Sequence, residues 1–142
     1  MKDIITISNL EKIYDKYDLF ILDQWGVMHD GNRGYLNSIE CINKLIEKNK
    51  KLVIISNSSK RKKLTSSRLL KLGFDENNFI EIMTSGEMIW QSFFNLKYPE
   101  TSNLGKNCYH IYDASKLDGK DFIQGLDKFN FVKDISKANF IL

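Results

Sequence analysis

The sequence contains very little proline and cysteine, and it lacks any long apolar run. One proline, Pro99, and two cysteines, Cys41 and Cys108, occur among 142 residues. The cysteines do not form a metal or redox spacing, and a reducing compartment is favoured over a lone disulfide between them. No stretch approaches the roughly 20 apolar residues of a membrane span, and the N-terminus lacks a signal-peptide core. We therefore predict a cytoplasmic protein that does not bind membranes.

A strong excess of one charge is also absent. The chain has 21 basic and 18 acidic residues, which give a net charge of +3. This balance does not favour nucleic acid or an anionic membrane as a partner. The basic cluster at residues 60–63 is typical of a solvated helix start, with attraction of a phosphate as the alternative. The length suits one domain with its own hydrophobic core.

Short apolar runs alternate with amphipathic segments along the chain. Strands are predicted over residues 19–22, 52–56, 80–83, 108–112 and 131–135, with a further apolar run from residue 139. Helices are predicted over residues 1–16, 38–49, 60–72, 86–95 and 121–126. The expected N-caps include Asn37 and Ser85, and an aromatic stripe on the 86–95 helix predicts a buried face. The alternation predicts an α/β fold with a doubly wound, mainly parallel sheet.

The first predicted strand leads directly to a carboxylate. Asp23 follows the apolar run where the strand would leave the sheet, and Gly26 and Gly31 then interrupt regular structure. Chemistry in open α/β sheets collects at the carboxyl ends of the strands, so Asp23 is a candidate nucleophile or metal ligand. Gly26 would let backbone N–H groups approach a ligand. The alternative is that Asp23 only caps a turn.

Hydroxyl and amide side chains follow the second buried strand. Ser56, Asn57, Ser58 and Ser59 crowd this strand-to-helix corner, where exposed N–H groups and a hydroxyl form a ready phosphate site. Ser58 or Ser59 can also cap the following helix, and both roles can hold together. Because the two strands are expected to be neighbours, the pattern predicts a nucleophilic carboxylate that faces a phosphate-binding corner.

Three motifs together resemble a known family. The segments FILDQWGVMHDG, VIISNSSKR and TSGE are similar to the haloacid dehalogenase (HAD) superfamily, class IIA, and most similar to its subgroup with a D-x-W-G-V-x-H-D-G first motif. The resemblance covers about residues 8–142. It implies a HAD-like Rossmannoid core and a Mg²⁺-dependent phosphatase of small phosphorylated metabolites.

The resemblance also implies a role for each matched residue. Asp23 corresponds to the nucleophile, which attacks phosphorus to form an aspartyl-phosphate and also ligates Mg²⁺. Trp25 would supply a backbone carbonyl to the metal, and Ser56 would hydrogen-bond the transferring phosphoryl group. The expected phosphate-binding set is Gly26, Ser56, Asn57 and Ser58.

The sequence departs from the family pattern in two ways. The residue two after the nucleophile is usually a second Asp that acts as general acid and base, but here it is Trp25, and such proton transfer is typically worth about 10²–10⁴-fold in rate. His29 or Asp30 could substitute, although such residues more commonly shape the flap, which is the short loop from His29 to Leu36 that the resemblance implies after the first strand. The third and fourth motifs and the cap domain are expected beyond Leu142. Residues 1–142 would then be the N-terminal part of an incomplete core, with a helix over 1–16 and core elements over 17–142.

Two other functions remain open at this point. The chain could be a non-catalytic ligand-binding or scaffolding member of the same fold, with Trp25 occluding the acid–base position. It could also be a receiver-like phosphoacceptor, although nothing before Asp18 provides the acidic pair that receivers need. An exposed sheet edge, left where further strands belong, predicts self-association, either as a homodimer or as aggregation.

Overall fold

The computed structural model describes residues 4, 6–96 and 98–142, and the chain divides into two compact units. The first unit comprises the described residues up to Ser56 together with residues 66–83. The second unit comprises residues 57–65 and 84–142. No helix among the described residues is long and apolar enough to cross a membrane.

The first sheet has the strand order β1-β2-β3. Its strands are β1 (Leu19–Leu22), β2 (Lys51–Ser56) and β3 (Glu81–Thr84). Strands β1 and β2 pair in parallel, with Leu22 opposite Ile54. Helix α1 (Leu36–Glu47) connects these two strands, as a parallel pair requires. Helix α2 (Lys62–Lys71) follows β2.

The core of the first unit forms around β2. Leu52 and Ile54 are completely buried, whereas Lys51 and Ile55 are exposed, which is the period-two alternation of a strand with one covered face. Apolar side chains of the neighbouring helices and strands complete the cluster, which consists of Phe20, Met28, Ile42, Leu45, Leu52, Ile54, Leu69, Leu72, Phe74, Phe79 and Ile82.

Among its described residues, the second unit contains three whole α-helices, the 3₁₀ helix Ile135–Lys137 and a sheet of order β5-β4-β6. The helices are α3 (Ser85–Asn95), α4 (Pro99–Ser102) and α5 (Leu117–Phe122). The strands are β4 (Asn107–Tyr109), β5 (Asn130–Phe131) and β6 (Phe140–Ile141), and β4 pairs in parallel with both others. The buried cluster of this unit consists of Phe93, Leu126 and Phe129.

The predicted α/β class with parallel strands is confirmed, although the strands form two small sheets instead of one. An apolar run specifies a strand, but the choice of its partner depends on packing between residues far apart in sequence. Strand β4 takes both of its partners from its own unit. The sequence pattern could not distinguish this pairing from a continuous sheet.

The N-terminal segment, residues 1–16, differs from the predicted short amphipathic helix in the type of helix and not in its start, which was expected near Ser8 or Asn9 and lies at Leu10. Residues 1–3 and 5 of that prediction lie outside the described residues. The remainder contains two short 3₁₀ helices, Leu10–Lys12 and Tyr14–Lys16. The apolar positions Ile7, Leu10 and Ile13 recur every three residues, which is the period of a 3₁₀ helix and not of an α-helix.

The predicted N-cap of α1 was wrong. The helix begins at Leu36 with Tyr35 as its N-cap residue, so Asn37 lies inside the first turn. The carbonyl of Tyr35 accepts hydrogen bonds from the N–H groups of Ser38 and Ile39, both at 3.0 Å. The backbone therefore starts this helix earlier than the side-chain pattern indicated.

Two expectations for α3 were also wrong. Its N-cap is Thr84 and not Ser85, and the Thr84 hydroxyl accepts the N–H of Glu87 at 3.0 Å. The predicted aromatic stripe is mostly uncovered, because only Phe93 of its members is buried. The exposed members are Met88, Ile89 and Phe94.

Candidate active site

Asp23 and Ser56 leave the first sheet at the same edge. Leu22 is opposite Ile54 in the parallel β1–β2 pair. The segments that follow β1 and β2 therefore leave the sheet in the same direction. Neighbouring strands lie about 4.8 Å apart, so the carboxylate and the hydroxyl belong to one small region of that edge. The predicted juxtaposition of the two strand ends is therefore present in the fold.

The two side chains differ in their access to solvent. Asp23 is exposed, and its Oδ1 accepts the N–H of Gln24 at 2.8 Å. Its Oδ2 accepts no hydrogen bond from the described residues, which leaves one carboxylate oxygen available to a metal or to phosphorus. Ser56 is 7% exposed at the end of β2.

Three N–H groups of the loop after Asp23 donate hydrogen bonds to the same backbone carbonyl. The oxygen of Gln24 accepts N–H groups from Val27, Met28 and His29 at 3.2, 2.8 and 3.3 Å. The carbonyl of Trp25, in contrast, accepts no hydrogen bond from the described residues. A backbone oxygen two positions after the carboxylate is thus available to a ligand.

Gly26 supports this loop through its backbone conformation. Its φ is +79°, in the left-handed region that favours glycine, and its N–H donates to the carbonyl of His29 at 2.9 Å. This N–H is therefore already used within the loop. The phosphate-binding role of Gly26 stays a prediction.

The indole of Trp25 occupies the outer side of the loop. It is 62% exposed and packs edge-on against the imidazole of His29, with the ring centroids 5.9 Å apart. A methyl group at Gly31 would overlap this indole, and the φ of Gly31 is +95°. The Trp25 side chain carries no group that can exchange a proton near neutral pH.

His29 and Asp30 build the turn of the flap. His29 is 3% exposed, and its Nδ1 accepts the N–H of Gly31 at 3.0 Å. Burial lowers the pKa of His29, and the charge of Arg68 lowers it further. The Asp30 carboxylate accepts the N–H groups of Asn32 and Arg33 at 2.8 and 2.9 Å.

These bonds also affect how readily the two groups exchange a proton. The N–H of Arg33 and then that of Asn32 hold the pKa of Asp30 below its ordinary value. Asp30 is therefore ionised near neutral pH, and His29 is neutral with its Nδ1 engaged. The Nδ1 of His29 and the Oδ1 of Asp30 are both used in this turn, which favours the interpretation of these residues as ones that shape the flap.

The oxygen atoms at this edge of the sheet could supply only part of the ligands of a hard divalent cation. The open oxygen of Asp23 and the open carbonyl of Trp25 are oxygen ligands of the kind that Mg²⁺ prefers, and Mg²⁺ commonly keeps several waters. No group of three or more His, Cys, Asp or Glu side chains in the described part of the chain could hold a metal on its own. Further ligands would have to come from water, substrate or other protein groups.

Asn57 and Ser58 fall in the second unit. Asn57 is exposed, and the Ser58 hydroxyl accepts the N–H of Lys60 at 3.3 Å. The Ser58 carbonyl accepts the N–H of Gly86 at 3.0 Å. The interpretation of Ser58 or Ser59 as the cap of the following helix is wrong, because α2 begins at Lys62 and its first N–H groups donate to the carbonyl of Arg61. The phosphate-binding role of Asn57 and Ser58 stays a prediction.

The sequence reasoning missed a buried ion pair beside this corner. The Glu87 carboxylate, 9% exposed, accepts the Nε of Arg61 at 2.7 Å and the N–H of Lys62 at 3.0 Å. The Arg61 guanidinium also lies 3.7 Å from the centre of the Trp90 ring. The sequence did carry one indication that Glu87 has a structural role. Thr84 is followed three residues later by Glu87, which is a capping-box pattern.

The fold and this sheet edge together define a class of protein. A βαβ unit with an exposed carboxylate and a hydroxyl at the carboxyl ends of adjacent parallel strands is typical of α/β proteins that bind ligands at that edge. The family model of haloacid dehalogenase-like hydrolases matches residues 20–115, which is more than half of the chain. The chain belongs to this family. No curated protein matches the sequence.

Solved structures share the fold. A haloacid dehalogenase-like hydrolase from Brucella suis 1330 is 23% identical with a TM-score of 0.73, and the match covers 96% of this chain and 48% of that one. A hypothetical protein from Pyrococcus horikoshii OT3 is 24% identical with a TM-score of 0.57, covering 80% of this chain and 40% of that one. The chain therefore spans half or less of the length of these two structures.

Proposed function

We propose that this chain contributes the nucleophile and part of the phosphate-binding site of a Mg²⁺-dependent phosphatase of the class IIA type. The proposed substrates are small phosphorylated metabolites. The observation that carries the proposal is the open carboxylate oxygen of Asp23 at the sheet edge that it shares with Ser56. Membership of a hydrolase family supports the reaction type.

In the proposed reaction, a carboxylate oxygen of Asp23 attacks phosphorus of a phosphomonoester. A carboxyl–phosphate bond forms, the bond from phosphorus to the ester oxygen breaks, and the leaving oxygen departs as an alkoxide or phenoxide with the electron pair of that bond and takes a proton from solvent. Water then attacks phosphorus of the aspartyl-phosphate and gives up a proton to solvent, and the bond from phosphorus to the Asp23 oxygen breaks, which releases inorganic phosphate and restores the carboxylate. Ser56 is proposed to donate its hydroxyl proton in a hydrogen bond to a phosphoryl oxygen, where negative charge accumulates.

The oxygen atoms of Asp23 and Trp25 are the groups of this chain proposed to hold Mg²⁺. When bound, the ion would offset the repulsion between a carboxylate and an anionic phosphoryl group. The bonding of three N–H groups to Gln24 supports the Trp25 assignment, because it leaves the next carbonyl without a donor in the described residues.

Proton supply to the leaving group limits the substrates of this proposed enzyme. Trp25 cannot donate a proton, His29 is buried and Asp30 is committed to backbone N–H groups. An alkoxide leaves poorly without a proton, whereas an acidic alcohol or phenol leaves readily as its anion. We therefore expect this chain's residues to support the cleavage of esters with acidic leaving groups best.

The first test is a Mg²⁺-dependent phosphatase assay of the complete protein with Asp23→Asn. We expect this change to lower kcat on the order of 10³-fold or more, because removal of a covalent nucleophile abolishes its pathway. Asp30→Asn is the matched control, since the amide oxygen can still accept both backbone N–H groups. A similar loss in both variants would contradict the assignment of Asp23.

A second test compares aryl phosphates whose phenols differ in acidity. We expect the rate to rise steeply with phenol acidity in the native protein and less steeply in Trp25→Asp, because the new carboxyl group can protonate the leaving oxygen. Equal slopes would contradict the proposed lack of a proton donor. No turnover of any ester by a folded protein would instead favour the non-catalytic binding function.

The part of the second unit from Asn107 onward is proposed to begin the cap domain, which the resemblance implies after the second motif. Its parallel sheet β5-β4-β6, which is separate from the first sheet, supports this over the sequence-based expectation of a cap beyond Leu142. In a structure of the complete protein, we expect the strand that follows β6 in sequence to join the β5-β4-β6 sheet. Its pairing with β1 or β3 would contradict the proposal.

A further inference from the structure

Arg68 reaches from helix α2 to the loop that follows Asp23. Its Nη2 donates to the carbonyl of Gly31 at 2.5 Å, and Arg68, Gly31 and Asp23 all belong to the first unit. Arg68 is half-buried. Its positive charge lowers the pKa of His29, whereas the negative charge of Asp23 acts on the same imidazole in the opposite direction. The ring of His29 is thus close enough to respond to both the arginine and the candidate nucleophile.

The guanidinium of Arg68 has no carboxylate partner in the part of the chain that the structure describes. Arg68 takes part in none of the ion pairs there, and the Gly31 carbonyl is the only acceptor there to which its side chain donates. A guanidinium carries five N–H donors in a planar fork that matches the two oxygens of an acid group. Because a cation partly removed from water is costly without a counter-charge, this arrangement points to an anionic ligand.

An exposed aromatic ring lies beside the same glycine. A Cβ atom added to Gly31 would overlap two carbon atoms of the Trp25 indole and would lie 3.3 Å from the Nη2 of Arg68. The indole and the guanidinium therefore approach each other at this position of the loop. The indole is 62% exposed, so most of it is accessible to a ligand. This surface offers an aromatic ring for apolar contact next to a cation for charge pairing.

The surface formed by Trp25 and Arg68 is within reach of a molecule bound at Asp23. Trp25 follows Asp23 by two residues, so their Cα atoms can lie at most about 7 Å apart, which is comparable to the length of a substituted aryl ring. In phosphoryl transfer the attacking and leaving oxygens are roughly in line, so the leaving oxygen points away from the carboxylate. We expect the alcohol portion of an ester to extend outward past this loop.

We propose that Arg68 binds a carboxylate on the alcohol portion of the substrate, beside Trp25, and thereby favours phosphate esters of organic acids. This inference rests on the proposed phosphatase function and names its substrate class. One guanidinium balances one negative charge, so a carboxylate fits better than a second phosphate. The carboxylate takes the N–H groups that Gly31 leaves available. Esters of phenols that bear a carboxylate combine this charge with the acidic leaving oxygen expected above.

The test compares the rates of the complete protein on 4-carboxyphenyl phosphate, 4-carbamoylphenyl phosphate and phenyl phosphate. The carbamoyl group matches the carboxylate in shape without its charge, and the two uncharged rings bracket the carboxylated one in the acidity of the leaving phenol. We expect kcat/KM for the carboxylated ester to exceed both others by about tenfold, which is the scale of a charge-assisted hydrogen bond to a partly exposed group.

Variants separate charge recognition from a purely structural role of Arg68. Arg68→Gln removes the charge but keeps an amide that can donate to Gly31, and it should abolish the preference for the carboxylated ester. Lys71→Gln removes the same charge from an exposed position of α2 and should leave the preference unchanged. If Arg68 only held the loop in place, its replacement would lower the rates on all three esters alike. The preference of the native protein needs no variant, so the proposal stays testable even where Arg68→Gln fails to fold.

A binding measurement distinguishes failure of this proposal from failure of the proposed function. In a Trp90→Phe background, Trp25 is the remaining tryptophan of the 142-residue chain, and its fluorescence reports on ligands at this surface. The phosphonate 4-carboxyphenylphosphonate resists hydrolysis and should bind about tenfold more tightly than phenylphosphonate, with the difference lost in Arg68→Gln. This result without turnover of any ester would support Arg68 and contradict the phosphatase function. Turnover of all three esters without a preference, or a preference retained in Arg68→Gln, would overturn the proposal and leave the phosphatase function standing.

Discussion

Replacing Glu87 by glutamine removes the charge from a buried ion pair while it keeps the size of the side chain. The carboxylate is 9% exposed and its partner Arg61 is 21% exposed. Loss of one member of a buried pair typically costs about 3–5 kcal/mol, because the other charge is left uncompensated. Here Arg61 keeps some contact with water and keeps its stacking on Trp90 at 3.7 Å. We therefore expect a loss of about 2 kcal/mol in the free energy of unfolding.

Urea unfolding followed by tryptophan fluorescence measures this change. In a Trp25→Phe background, Trp90 is the remaining tryptophan and reports on the second unit. With a urea m-value of about 1–2 kcal/mol/M, the midpoint should fall by about 1–2 M. Glu100→Gln makes the same chemical change at an exposed position of the second unit and should stay within about 0.5 kcal/mol.

The pH dependence provides an independent check on the Glu87 argument. Burial alone would raise the pKa of Glu87, but hydrogen bonds from Arg61 and Lys62 outweigh it and hold the pKa below the ordinary 4.5. A carboxylate with a lowered pKa in the folded state stabilises that state above its unfolded pKa and ceases to do so as the pH falls through the folded pKa. The difference between native and Glu87→Gln proteins should be full at pH 7 and shrink below about pH 4.5. A loss equal to that of Glu100→Gln, or one independent of pH, would refute the reasoning.

Two further predictions concern other buried contacts. Gly86→Ala would drive its Cβ into the Ser59 carbonyl and should cost about 1–3 kcal/mol in urea unfolding, the usual range for overpacking; an unchanged midpoint would contradict the close approach. His29 has a lowered pKa, so the unfolded chain binds its proton more readily, and the stabilisation should be complete above pH 6.5 and diminish as the pH falls below it. An NMR titration of the His29 ring checks this, and a midpoint at or above 6.5 would contradict it.

Local sequence patterns predicted the first sheet well because its strands are defined by burial. Residues 19–22 were predicted as a strand and form β1, and the 52–56 run lies within β2. A short apolar run must bury its side chains, and a helix that connects it to the next apolar run leaves few arrangements other than two parallel strands. The same logic brought Asp23 and Ser56 to one edge, since parallel neighbours end at the same side of a sheet.

The parts that the sequence did not predict depend on contacts between distant residues. Arg61 looked like one member of a solvated basic cluster, and only the fold shows that it lies between Glu87 and Trp90. The face of α3 was judged from its aromatic content, although the buried positions are Gly86, Glu87 and Phe93. Small and charged residues can be buried where the backbone approaches closely or where a partner satisfies them, and local hydrophobicity does not report either condition.

Trp25 could act through its backbone carbonyl or through its side chain, and the structure of the loop after Asp23 makes these two roles independent. Its backbone geometry is fixed by the left-handed Gly26 and by three N–H groups bonded to Gln24, and none of these features requires a particular side chain at Trp25. The open carbonyl is therefore preserved whichever residue stands there, whereas proton transfer depends on the side chain alone. Since the Trp25 side chain is 62% exposed, an aspartate could replace it with little cost in packing. The proposed metal contact and the proposed lack of a proton donor are thus independent, and Trp25→Asp tests the second without disturbing the first.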